Sequence, residues 1–90
     1  MKSRANQKFW KAFENLPLQV QRRAREAYLL WQKNPQHPSL QFKQIHTSRP
    51  IFSVRVGIGW RAVGIKEDDT MIWFWIGSHA EYDNLISRLR

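Results

Sequence analysis

The segment 52-FSVRVGIGWRAVG-64 decides the fold. Two runs rich in Val, Ile and aromatic residues flank Gly57-Ile58-Gly59, the composition of two strands joined by a tight turn. A three-residue loop there sets Arg55 directly opposite Arg61, and like charges so placed repel. A two-residue loop would instead put Trp60 opposite Arg55. In the first register, either an anion sits between the two guanidinium groups or both side chains run out to solvent.

The period of two continues on both sides. Leu40 to Ile45 and Met71 to Ile76 read as further strands, separated from the hairpin by "HTSRP" and "KEDDT". Short connections of this kind predict an antiparallel meander of about four strands. A loop centred on Asp68 sets Arg61 beside Trp75 and Val63 beside Trp73. One face then holds Phe52, Val54, Val56, Trp60, Ala62, Gly64, Ile72, Phe74 and Ile76, and is wholly apolar. The other holds Ser53, Arg55, Arg61, Val63, Met71, Trp73 and Trp75.

An apolar face needs cover, and the first third of the chain supplies it. Phe9, Phe13 and Leu16 recur at helical spacing, as do Val20, Ala24, Ala27 and Trp31 after Pro17. Two helices are predicted, 4–15 and 17–33, packed as a hairpin on the sheet. Asn34-Pro35 ends the second. Ser78 with Glu81 three residues on predicts a capping box. Tyr82, Leu85, Ile86 and Leu89 form one face of a short C-terminal helix. The expected class is α+β: an N-terminal helical hairpin on an antiparallel meander with a terminal helix, in one domain spanning 1–90.

Charge is unevenly placed. The net charge is +8 over 90 residues. Residues 1–50 carry ten Lys/Arg against two acids, and residues 51–90 carry five of each, so the excess lies in the first half. Such a surface fits a polyanion or an acidic protein partner. There is no cysteine, which excludes disulfides, thiolate metal sites and a cysteine nucleophile. No histidine pair has metal-ligand spacing, and no metal is expected. The chain shows no signal peptide and no membrane-spanning run, so a cytoplasmic protein is expected.

Three further groups carry chemistry. Trp73 and Trp75 offer indoles to bases, or pack under a terminal helix or a protein partner. His79, just beyond the last strand, is suited to proton transfer. His37 and His46 lie in or beside loops.

"FSVRVGIGWRAVG" and "FWIGSHAEY", with a basic helical pair before them, resemble the RelE/ParE superfamily of type II toxin–antitoxin toxins. The resemblance covers residues 8–86. It implies a ribosome-dependent mRNA endoribonuclease that uses the 2′-hydroxyl as nucleophile and no metal or other cofactor. It also implies a cognate antitoxin as partner. On this resemblance Arg61 stabilises charge on the scissile phosphate and His79 acts as general acid or base. Arg55 and Lys43 contact RNA, and Tyr82 stacks on a base. Trp73 and Trp75 are assigned to partner binding. The alternatives are a ParE-type inhibitor of DNA gyrase without nuclease activity and a non-catalytic nucleic-acid-binding module. Two departures stand out: no strand is expected before the first helix, and no carboxylate matches the general base of some relatives.

Overall fold

The computed structural model describes residues 1–89. Its centre is a five-stranded mixed sheet in the order β1-β5-β4-β3-β2. The strands are β1 (Lys2–Ala5), β2 (Lys43–Gln44), β3 (Ile51–Arg55), β4 (Trp60–Glu67) and β5 (Thr70–Ser78). The helices are α1 (Gln7–Glu14), α2 (Leu18–Lys33) and α3 (His79–Arg88).

The β3–β4 hairpin has the expected register, with Arg55 opposite Arg61 and Val54 opposite Ala62. Gly57 and Gly59 both take positive φ, at 61° and 84°, which lets three residues close the turn.

The strand count and direction are corrected. Residues 2–5 form a strand, parallel to β5, where none was expected. "KSRA" contains no β-branched or aromatic residue, so its strand state comes from pairing rather than from propensity. The Lys2 and Asn6 amides donate to the Asp69 and Trp73 carbonyls at 3.1 and 3.0 Å, covering the edge of β5. Asn6 then caps α1, its Oδ1 accepting from the Phe9 amide at 2.9 Å, so the helix begins at Gln7 rather than at 4. The strand predicted over 40–45 shrinks to two residues. Pro38–Leu40 is a 3-10 turn, and Gln41 after it is left-handed with φ 46°, which breaks the extended run.

The assignment of faces is corrected on β5. Asp68 has φ 55°, and a two-residue turn pairs Glu67 with Thr70. A bulge follows: Gly64 pairs with Trp73 but Val63 with Trp75, leaving Phe74 without a partner on β4. The turn, one residue shorter than expected, shifts the register by one and exchanges the faces of residues 71–74, and the extra residue at Phe74 shifts it back for Trp75 and Ile76. Met71 and Trp73 therefore join Val54, Ala62 and Ile76 under the N-terminal helices, and Phe74 goes to the opposite side. Gly64 is required here, because a Cβ would stand 2.8 Å from the Trp73 ring.

Helix placement also differs from a closed hairpin. α1 lays Phe13 and Phe9 on the sheet. α2 reaches it chiefly through Trp31, whose ring meets Trp73 edge-on at 5.3 Å. Between the two helices and the sheet lies an open apolar groove of about 430 Å³. The other sheet face is covered by α3, with Tyr82 buried against Ile51 and Val63.

Candidate functional site

Arg61 is the centre of the site. It sits mid-sheet on β4 and only 9% of it is exposed. Its Nη2 donates to Gln41 Oε1 at 2.7 Å, while Nη1 is buried without a hydrogen-bond partner. The guanidinium carbon lies 5.4 Å from the centre of the Tyr82 ring. Among the described residues no carboxylate pairs with it; the one basic–acidic side-chain approach there is His79 Nε2 to Asp83 Oδ1, at 3.7 Å. A buried cation held by a neutral amide and an aromatic face is under-compensated, and it attracts an anion strongly.

Arg55 shows how the repulsion in the hairpin is relieved. Its Nε donates to the Gly57 carbonyl at 3.2 Å, turning the side chain back to the β3–β4 turn. The stem of Arg23 from α2 lies on the same glycine, within 2.8 Å of where a Cβ would be. The opposed arginines diverge: Arg61 turns under α3 and Arg55 lines a second groove with Arg23, Glu26 and Ser39.

Tyr82 does not stand free to stack on a base. It is 4% exposed, and its hydroxyl donates to Ser53 Oγ at 3.1 Å. Helical spacing puts Tyr82 on the inner face of α3, so it supports Arg61 from below. The same ring lies 5.8 Å from that of His79, so Tyr82 bridges the arginine and the histidine. His79 is exposed, and its amide donates to the Gly59 carbonyl at 2.8 Å, tying the start of α3 to the hairpin turn. Lys43 is exposed on β2, opposite Ser53. Trp75 packs beneath α3 beside Tyr82. Trp73 leaves the arginine face, is 6% exposed, and lines the apolar groove on the other side.

Sequence reasoning missed Gln41. It is a neutral side chain in a predicted strand, and only Pro38, three residues before it, marks a turn. Of the histidines left over, His37 Nδ1 is engaged by Ser39 and His46 Nδ1 accepts from the Ser48 and Arg49 amides. No group of three His, Asp or Glu among the described residues is arranged to hold a metal ion.

The position of His79 depends on the α3 cap. Glu81 accepts from the Ser78 amide at 2.9 Å, and Ser78 Oγ accepts from the Glu81 amide at 3.2 Å. The Ser78 backbone hydrogen bond, then its side chain, holds the Glu81 carboxyl below its ordinary value. A depressed carboxyl stabilises the fold above its unfolded pKa and loses that contribution as pH falls through the folded one. Glu81→Gln is therefore expected to melt below wild type at pH 7, with the gap closing in acid. Thermal melts between pH 7 and 3 test this; a gap independent of pH would contradict it.

Comparison with known proteins agrees with this architecture. A search of curated protein sequences finds no match. Solved structures do match. The toxin of a RelB–RelE antitoxin–toxin complex from Methanococcus jannaschii superposes with TM-score 0.71 at 17% identity, over 90% of this chain and 95% of that one. YafQ from E. coli gives 0.71 at 13% identity, over 90% and 96%. A copper-bound mutant toxin from Helicobacter pylori gives 0.66 at 23% identity, over 90% and 97%. Sheet and helices thus define a RelE-like toxin fold. The model of the ParE-like toxin domain matches residues 18–84, and the chain belongs to that family, a toxin of the RelE/ParE superfamily of toxin–antitoxin systems. No helix among the described residues is long and apolar enough to cross a membrane.

Proposed function

We propose that this toxin is a ribosome-dependent mRNA endoribonuclease. The observation that carries the reading is Arg61: buried, unpaired with any described carboxylate, and with a guanidinium nitrogen lacking a partner. A preorganised cation of this kind is worth most where negative charge develops in a water-poor site. In the proposed reaction the 2′-hydroxyl of one nucleotide attacks the adjacent phosphorus, and the bond to the 5′-oxygen breaks. A proton leaves the 2′-oxygen and another reaches the 5′-oxygen. Arg61 neutralises charge on the phosphoryl oxygens, and His79, exposed across the Tyr82 ring, carries one of these protons. Arg55 and Lys43 hold the flanking backbone.

Induction of the protein followed by mapping of mRNA 5′ ends tests the reading. Cuts within translated codons support it. Gyrase-dependent DNA breaks without RNA cuts would support the rival ParE-type activity instead.

The proposed partner is a cognate antitoxin, as in the RelB–RelE complexes among the structural neighbours. The apolar groove fits an amphipathic helix of that partner. Trp10 lies at its edge, 49% exposed, with Arg4 and Arg25 also lining it. Acidic residues on the helix would meet these arginines, and Trp73 would form part of the floor. Trp10→Glu places a charge where an apolar anchor is required and is expected to weaken the complex at least about 30-fold. Calorimetric titration with the antitoxin measures it; unchanged affinity would remove the groove from the interface.

A further inference from the structure

We infer that Gln41 is a displaceable latch on Arg61, a positioning residue that the incoming phosphate must push aside. The inference rests on Arg61 being the anion site. A guanidinium binds phosphate best through two parallel N–H donors. In the free protein one of the two terminal nitrogens, Nη2, is taken by Gln41 Oε1 at 2.7 Å. The other, Nη1, is buried with no partner. Phosphate and the Gln41 carbonyl therefore compete for the same fork.

Gln41 is built to lose that competition. It is exposed, so its amide turns into water when released. It closes the Pro38–Leu40 turn in a left-handed conformation, φ 46°, which a residue other than glycine, asparagine or aspartate adopts reluctantly. Its side chain is neutral, so an anionic ligand gains from Arg61 what the amide cannot supply. A carboxylate at this position would pair with the cation and hold it. The latch gives the buried arginine a partner while the site is free, and yields to a phosphodiester.

The test uses the full chain and inorganic phosphate as probe. Anion binding is read from the Arg61 Nε–H resonance, assigned by its loss in Arg61→Ala. Gln41→Asn keeps the left-handed backbone but is one methylene too short to reach the guanidinium. It is expected to bind phosphate about three- to ten-fold more tightly than wild type. Gln41→Glu is expected to bind at least about ten-fold more weakly. Opposite changes from two variants with unchanged melting temperatures would not arise from a merely structural role. Equal affinities in all three proteins, or weaker binding by Gln41→Asn, would overturn the latch while leaving Arg61 as the anion site. A resonance that ignores phosphate in every variant would overturn both.

Discussion

Arg61→Ala is expected to lose mRNA cleavage by at least about 100-fold, and with it growth inhibition, while the protein melts no lower than wild type. The two halves of this expectation come from the same observation. Arg61 is buried with one hydrogen bond and no described carboxylate, so the folded state carries an under-compensated charge. Removing such a charge relieves desolvation, and replacement of buried ions by well-packed apolar groups of similar volume is often neutral or stabilising. The cavity left beneath Gln41 offsets part of the gain. Function and stability should therefore separate at this residue. Arg61→Lys is the sharper variant, since it keeps the charge but loses the planar fork, and little activity should return. Mapping of mRNA 5′ ends and thermal melting of the purified variants measure both quantities. Full toxicity in Arg61→Ala would remove the arginine from the chemistry; a large fall in melting temperature would make it a structural residue.

The second large effect is on stability. Trp31 is buried, in edge contact with Trp73 at 5.3 Å and Phe42 at 5.8 Å, and stacked on Tyr28 at 6.2 Å. It is the main tie between α2 and the sheet. Trp31→Ala should cost about 3–5 kcal/mol. A chain of 90 residues has a total stability of about 5–13 kcal/mol, so the variant sits near the unfolding threshold. Trp31 Nε1 is itself buried without a partner. Trp31→Phe removes that orphan donor and keeps a ring at the contact, so its cost should stay below about 1.5 kcal/mol. Urea denaturation of the two variants distinguishes them. Equal costs would mean that Trp31 packing does not hold α2 down.

Some of the site was legible from local chemistry. The spacing of Gly57 and Gly59 marks a turn of two or three residues, and the positive φ of both glycines in the structure selects the three-residue form that aligns Arg55 with Arg61. The Ser78 and Glu81 pair marks the start of α3 and so the place of His79. These features depend on residues a few positions apart, and short-range sterics and hydrogen bonds decide them. Helical spacing likewise locates α1 and α2 to within a few residues, because the apolar stripe is a property of each helix alone.

Other features depend on residues distant in the chain. The strand at Lys2–Ala5 exists because β5 presents an unpaired edge to it, nearly seventy positions away. The two-residue turn at Asp68 sets the register that moves Trp73 from the arginine face to the groove, and the bulge at Phe74 then leaves Trp75 and Ile76 on the faces their spacing predicts. Tyr82 belongs to the apolar face of α3 by spacing, but its contact with Ser53 and Arg61 exists only once α3 folds back over the sheet. Gln41 acquires a role only when a left-handed residue brings its amide to Arg61. By itself the sequence determined the hairpin and the charge asymmetry, and it narrowed the partner of Arg55 to Arg61 or Trp60. The tertiary structure decided which of them is buried and what holds it. Burial and partner choice follow from the packing of whole elements, and a local pattern does not encode them.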